Sequence, residues 1–119
     1  MIPRLSLRRD RGEHAEETVV RYLRRRGFKV IERNLRTRLG EIDIIALDRD
    51  VLCFIEVRSR GRDDLGDPAE TVTAGKQRRL RRLAEAYMDR KRIDAPARFD
   101  VASVLPEPDG VDYIEDAFE

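Results

Sequence analysis

The stretch GEIDIIALDRDVLCFIEVRSR, residues 40–60, contains two apolar runs joined by the short polar segment DRD. The runs cover residues 41–47 and 51–58, and this arrangement predicts two antiparallel strands connected as a hairpin. An acidic residue interrupts each run, Asp43 in the first and Glu56 in the second. The position of these two carboxylates in the hairpin therefore decides what chemistry the chain can offer.

A two-residue loop at Arg49 and Asp50 would pair residue 48 with residue 51 and place Asp43 directly opposite Glu56. Their Cβ atoms would then lie about 4.5–5.5 Å apart, and a longer loop of the same parity would keep both acids on one face. Because side chains alternate along a strand, the other face is entirely apolar. That face consists of Ile42, Ile44, Ala46, Val51, Cys53, Ile55 and Val57. A one-residue slip would place Asp43 on this apolar face, so the pattern disfavours it.

Two carboxylates facing each other across a sheet repel, so they need a cation between them or a proton on one of them. A hard divalent cation such as Mg²⁺ fits, because it binds through oxygen ligands and commonly uses one or two carboxylates. In the same register Glu41 lies opposite Arg58. The alternative is therefore structural: Glu41 and Glu56 form ion pairs with Arg58 and Arg60 at the end of the sheet. The pattern by itself leaves both interpretations open.

Outside the hairpin, the sequence predicts two amphipathic helices and three more strands. The helices cover residues 12–26 and 74–92, and the strands cover residues 28–35, 98–105 and, as a short edge strand, 111–118. Gly27 is placed to end the first helix, and Thr73 is placed to cap the second. The resulting order, αβββαβ with an added edge strand, predicts an α/β fold with a central mixed sheet flanked by helices. Residues 1–10 are expected to form a flexible basic arm, residues 11–119 a single domain, and residues 61–72 a loop.

The composition narrows the classes of function. The chain has 119 residues and a formal net charge of +1, but its arginines cluster in basic patches that suit phosphate. The chain has a single cysteine, Cys53, so an internal disulfide is excluded. It also lacks the cluster of Cys and His residues that would predict a zinc site. No segment has the length and apolarity of a membrane span, so we expect no membrane partner and a cytoplasmic location. Aromatic content is 6% without tryptophan, so stacking of bases on aromatic side chains is not an evident mode of binding.

Several blocks of the sequence resemble the YraN family of small bacterial proteins, which are thought to be endonuclease-like. They are RGEHAEETVVRYLRRRGFKVIERNLRTRLGEIDIIALD, VLCFIEVRSR, GDPAETVTAGKQRRLRRLAEAYM, RFDV and the final DAF, which together extend over residues 12–118. The resemblance implies a restriction-endonuclease-like fold of the PD-(D/E)XK type, similar to archaeal Holliday-junction resolvases. It also implies a divalent-metal-dependent endonuclease that uses Mg²⁺ or Mn²⁺ and hydrolyses duplex or branched DNA. Its likeness to the resolvases suggests a homodimer.

By position, Asp43 matches the first metal-binding acid of that motif and Glu56 the second, and the backbone carbonyl of Val57 would be a third ligand. Glu16 resembles the acid on the first helix of the resolvases, with its neighbour Glu13 as a possible substitute. The motif's lysine, however, is Arg58 in this chain. An arginine stays protonated, so it can contact the scissile phosphate but cannot act as a base.

Basic residues near this end of the sheet are candidates for contacts with the DNA backbone, which position the nucleic acid without reading its sequence. They are Arg36, Arg38, Arg60, Arg62, Lys76 and Arg79. For Lys76 we favour a phosphate contact or a surface position over replacement of the missing ammonium. His14, the only histidine, is expected to be an exposed residue at the start of a helix.

Because of Arg58, a nuclease-fold module that binds nucleic acid or a partner protein without cutting remains the alternative. The near-neutral net charge leaves a third alternative, an interaction protein that does not bind nucleic acid.

Overall fold

A computed structural model describes residues 4–59 and 73–118, and for residues 4–13 it describes the backbone alone. Two helices and five strands follow one another along the chain. They are α1 (Arg4–Arg25), β1 (Lys29–Thr37), β2 (Gly40–Asp48), β3 (Val51–Ser59), α2 (Ala74–Lys91), β4 (Ala97–Val104) and β5 (Val111–Ile114). The α/β class and the sequence of helices and strands are confirmed. The predicted loop over residues 61–72 lies outside the described residues.

The strands form one mixed sheet in the order β1-β2-β3-β4-β5. Neighbouring strands are antiparallel except β3 and β4, which are parallel and are connected through α2. A parallel pair needs a crossover connection, and the helix provides it. The acidic residues on β2 and β3 therefore lie on central strands of the sheet, next to the start of that crossover helix.

Each helix covers one face of the sheet. Helix α1 buries Val19, Val20 and Leu23 against Ile44 and Ile55. Helix α2 covers the opposite face with a buried stripe of Leu80, Leu83, Ala84 and Tyr87, which packs with Ile45, Leu52 and Phe54. The spacing of three and four residues in each stripe is what places these side chains on one side of a helix. The core is thus two apolar layers separated by the sheet.

The ends of the helices follow local sequence signals, with one correction. Helix α1 begins at Arg4, eight residues before its predicted start at residue 12. It ends before Gly27, which has a φ of 88°, a left-handed conformation that glycine adopts without steric strain. Helix α2 is capped as predicted, because the Thr73 hydroxyl accepts a hydrogen bond from the Lys76 amide at 3.2 Å. None of the described helices is long and apolar enough to cross a membrane.

A buried ionic network braces the far side of the sheet. Asp100 on β4 is 1% exposed, and its carboxylate accepts hydrogen bonds from Arg98 Nε, the Tyr113 hydroxyl and the Asp116 amide. Arg98 also donates to Asp48 at 3.0 Å, so the network connects β2, β4 and β5. Burial raises the pKa of Tyr113 above its usual range, and the nearby Asp100 carboxylate raises it further. Asp100 thus has a structural role in holding β4 to its neighbours.

Candidate active site

The hairpin has the predicted register up to the point where the acids begin. Strands β2 and β3 pair from Asp48–Val51 to Ile44–Ile55, around a two-residue turn in which Arg49 has a φ of 58°. The pairing ends there, so the predicted direct pair of Asp43 with Glu56 is wrong. Instead, Asp43 Oδ2 accepts a hydrogen bond from the Val57 amide at 2.8 Å. A side-chain oxygen of β2 therefore binds this backbone amide of β3.

The regular alternation of β2 also breaks at Asp43. Ile44 packs in the layer under α1 with Ala46, Cys53 and Ile55 of the predicted apolar face, but Ile42 packs in the layer under α2 together with Ile45. The predicted apolar face is therefore wrong for Ile42. On β1, the residue opposite Asp43 is Asn34, which lies between the Arg33–Ile44 and Leu35–Ile42 pairs. Asn34 has a φ of 53°. A residue with a left-handed backbone interrupts the regular pleat of a strand. At this irregularity Asp43 does not take part in the regular pairing of β2 with β3.

Asp43 is in an electrostatically unfavourable position. Burial, opposed by the Val57 hydrogen bond, raises its pKa from an ordinary value of 3.8 to about 7. The negative charges of Glu56, Glu16 and Glu41 raise the pKa further. Burial disfavours an ionised carboxyl, and so do three acidic neighbours. This arrangement favours the binding of a cation or a proton at Asp43.

Glu56 is stabilised by two basic residues. Its side chain is 13% exposed, and Lys76 Nζ lies 2.6 Å from Glu56 Oε1. The guanidinium of Arg58 lies farther from the same oxygen, at 3.8 Å. The structure therefore brings the ammonium of Lys76 to Glu56, whereas the sequence favoured a surface or phosphate role for this lysine. A short charge-assisted contact of this kind is stronger than a neutral hydrogen bond.

Arg58 lies beside this pair but is incompletely bonded. Its Nε atom is buried and has no hydrogen-bond partner among the described residues. Glu41, which was predicted opposite Arg58, instead pairs with Arg36 at 3.3 Å in an exposed position. Of the ion pairs expected in the structural interpretation, the described residues form the one between Glu56 and Arg58. The pairs expected for Arg60 lie outside the described residues.

Glu16 on α1 is 9% exposed and has a partner that the sequence analysis missed. Asn34 Nδ2 donates a hydrogen bond to Glu16 Oε2 at 2.8 Å. The sequence held a signal for this residue, because asparagine is uncommon inside strands and tolerates a left-handed backbone. Its pairing with a residue eighteen positions earlier required the tertiary structure.

The remaining predicted residues lie around the site or outside the described range. Arg38 is exposed in the turn between β1 and β2, and Arg79 is exposed on α2, one turn after Lys76. His14 is exposed, as predicted. Arg60 and Arg62 lie outside the described residues. The side chain of Glu13 lies outside them as well.

The donor set fits a divalent cation held by few protein ligands. Among the residues that the structure describes, no three His, Cys, Asp or Glu side chains form a metal-binding cluster. Asp43 and Glu56, with the backbone of Val57 bonded to Asp43, give a site of two carboxylates. Mg²⁺ is commonly held by one or two carboxylates and keeps several waters, so this donor set suits it. The raised pKa of Asp43 is the observation in favour of the fit, because a bound cation would offset the surplus of negative charge there.

Comparison with known proteins identifies the relatives of this chain. The family model described as "Uncharacterised protein family UPF0102" matches residues 15–104. A UPF0102 protein of Symbiobacterium thermophilum is 49% identical over 100 residues, which are 83% of this chain and 85% of that protein. A UPF0102 protein of Syntrophus aciditrophicus is 41% identical over 100% of this chain and 96% of its own. One of Nitrosococcus oceani is 42% identical over 92% of each chain. These names state a family and no activity.

Proposed function

This chain belongs to the UPF0102 family, and we propose that it is a divalent-metal-dependent endonuclease that hydrolyses phosphodiester bonds in DNA. The observation that carries the proposal is the convergence of two acids and one ammonium from three elements. Asp43 comes from β2, Glu56 from β3 and Lys76 from α2. Two acids and a lysine are also the components of the PD-(D/E)XK motif that the sequence resembles. The proposal therefore includes a restriction-endonuclease-like arrangement of the sheet.

The main departure from that motif is the arginine at the position of its lysine, and we propose that a lysine from another element compensates for it. Arg58 occupies the motif position, but Lys76 supplies a primary ammonium 2.6 Å from the second acid. Lysine and arginine differ here, because the pKa of a lysine responds to burial and neighbouring charge while arginine stays protonated. We therefore assign the role of the motif lysine to Lys76 and a phosphate-binding role to Arg58.

Each residue then has a defined task in hydrolysis. Mg²⁺ or Mn²⁺, when bound, supplies Lewis-acid polarisation of the phosphate and lowers the pKa of a bound water. Asp43 and Glu56 would hold the ion, and Glu16 would orient the attacking water. Arg58 and Lys76 stabilise the negative charge that develops on the scissile phosphate. Asn34 keeps the Glu16 carboxylate in place through its 2.8 Å hydrogen bond.

The first experiment is a calorimetric titration with Mn²⁺, followed by cleavage assays on four-way junctions, flaps and plain duplex. We expect the wild type to bind Mn²⁺ and to cut at least one of these substrates. The double variant Asp43→Ala with Glu56→Ala should lose both properties. Glu85→Ala, which removes an exposed acid from α2, is the matched control and should keep them. Absence of Mn²⁺ binding by the wild type would refute the proposal.

Lys76 is tested separately, because its role is catalytic rather than one of metal binding. Lys76→Met keeps the length of the side chain and removes the charge. We expect cleavage to fall at least about 100-fold, the size typical of removing one group that stabilises transition-state charge, while Mn²⁺ binding persists. Lys91→Met, at the exposed end of α2, is the control for loss of a positive charge.

A second candidate function follows from Arg58 and from the ion pair on Glu56. If Lys76 holds Glu56 permanently, the chain is a nuclease-fold module that binds DNA or a partner protein without cutting. The same experiments separate the two, because a binding module retains DNA affinity but shows no cleavage with Mn²⁺ or Mg²⁺. In that case Lys76→Met would change DNA affinity alone.

A further inference from the structure

The turn between β1 and β2 presents an apolar side chain to solvent. Thr37 pairs with Gly40, so Arg38 and Leu39 form a two-residue turn. Leu39 is 41% exposed, the one large apolar side chain in the exposed class among the described residues. The turn is held in shape, because the Thr37 hydroxyl accepts from the Leu39 amide at 3.1 Å and donates to the Gly40 carbonyl at 3.2 Å. We call Arg38 and Leu39 the hairpin tip.

Two grooves lie along the hairpin tip, between it and α2, and Leu39 and Leu83 line both of them. The first has a volume of about 270 Å³ and is also lined by Lys76, Arg79 and Leu80. The second has a volume of about 200 Å³, and its other lining residues include Arg38, Tyr87 and Arg90. The two grooves share Leu39 and Leu83, and we call them together the track, which is lined by leucines and positively charged residues.

The charge of the track is strongly asymmetric. Four basic side chains line it, namely Lys76, Arg79, Arg38 and Arg90, of which Lys76 pairs with Glu56. Glu41 is the one acid among the lining residues, and it already pairs with Arg36. Arg38 and Arg79 form no ion pair with the described residues. Such a surface is complementary to an anionic chain that also carries apolar faces.

The track is continuous with the candidate active site. Lys76 lines the first groove, and its ammonium contacts Glu56. A strand whose scissile phosphate lies in the candidate active site beside Lys76 can therefore continue past Arg79, across Leu39 and on to Arg38 and Arg90.

We propose that this track binds an unpaired DNA strand next to the cleavage site, with its phosphates on the basic edges and a base against Leu39. The inference rests on the proposed function and names its substrate class: DNA with unpaired nucleotides beside the scissile bond. In a duplex the faces of the bases are stacked and closed to a side chain, whereas an unpaired base offers an apolar face. Aliphatic side chains do contact exposed base faces in this way when proteins insert them at disrupted steps.

The test compares a forked duplex that has two unpaired arms with a blunt duplex of the same length. Binding is measured by fluorescence anisotropy in EDTA, so neither metal binding nor cleavage contributes. The wild type should bind the fork more tightly. Leu39→Ala should weaken fork binding by about three- to eightfold, the effect of no longer burying the 41% of this leucine that is exposed. Its affinity for the blunt duplex should stay within about twofold, because the proposal places no paired base against Leu39.

The basic edges are tested through the salt dependence of the same binding. Arg79→Ala and Arg38→Ala should each reduce the slope of log K against log salt by about 0.7 on the fork, the value for one phosphate contact with a single strand. Arg24→Ala, an exposed arginine at the end of α1 on the opposite face of the sheet, is the matched control and should leave the slope unchanged.

Equal affinity of the wild type for fork and blunt duplex would overturn the proposal, and so would an equal loss on both in Leu39→Ala. Failure of the track is distinguishable from failure of the nuclease proposal. Metal-dependent cleavage that requires Asp43 but shows no preference for forks rejects the track alone. Fork preference in EDTA without any cleavage rejects the nuclease and leaves the track.

Discussion

Replacing Asp43 by Asn should stabilise the folded protein at neutral and alkaline pH while it abolishes metal binding. Asparagine has the shape of the protonated acid, and its side-chain oxygen can still accept the 2.8 Å hydrogen bond from the Val57 amide. The substitution removes the charge that burial and the neighbouring acids, Glu56 and Glu16 among them, disfavour. The acid therefore lowers stability at the position where the proposed function requires it.

The size of the effect follows from the pKa of Asp43. A rise from 3.8 to about 7 corresponds to at most about 4 kcal/mol, at about 1.4 kcal/mol for each pH unit. The carboxyl is only partly buried, so solvent and structural relaxation reduce this figure. We expect Asp43→Asn to raise the free energy of unfolding by about 1–2 kcal/mol at pH 8.

The pH dependence has a definite sign. Well below pH 3.8 the carboxyl is protonated in both the folded and the unfolded chain, so it contributes no difference. Between 3.8 and about 7 the folded protein keeps a proton that the unfolded chain has released, and stability falls as the pH rises. Above about pH 7 the loss is complete. The advantage of Asp43→Asn should therefore be larger at pH 8 than at pH 5.

The assay is urea unfolding of both proteins at pH 5 and pH 8, in EDTA and in Mn²⁺. In Mn²⁺ at pH 8 the wild type should gain stability through linkage to binding, and Asp43→Asn should not. Asp94→Asn, which neutralises an exposed acid after α2, is the control and should show no such pH dependence. If Asp43→Asn and wild type lose stability in parallel from pH 5 to pH 8, the electrostatic account of Asp43 is wrong.

Three further predictions concern the neighbours of the site and the buried network. Arg58→Lys should leave the cleavage rate within about threefold, because the role of the motif lysine is already filled elsewhere; a gain of more than about tenfold would contradict this assignment. Asn34→Gly keeps the left-handed backbone but removes the amide that holds Glu16, so the cleavage rate in Mn²⁺ should fall by about tenfold, with little change in urea unfolding. Tyr113→Phe removes a hydrogen bond to the Asp100 carboxylate and should lower the free energy of unfolding by about 1.5–3 kcal/mol; an unchanged urea midpoint would contradict the bracing role.

The sequence determined the framework of this protein because its signals are local. Period-2 alternation and the DRD turn predicted the β2–β3 hairpin and its register, and the structure has the same pairs from Ile44 to Asp48. Helical periodicity predicted the buried stripe of α2, and the Thr73 cap was readable from its position before that stripe. These features depend on residues near one another in the chain, so the pattern alone is sufficient to predict them.

Only the tertiary structure decided the environment of the acids. The break in alternation at Asp43 coincides with a left-handed Asn34 on another strand, which no pattern in residues 40–60 could show. The contact of Lys76 with Glu56 joins residues twenty positions apart through the packing of α2, and the partner of Glu16 comes from β1. The physical reason is that burial and Coulomb interactions depend on distances in space, whereas periodicity reports only which side of its own element a residue occupies.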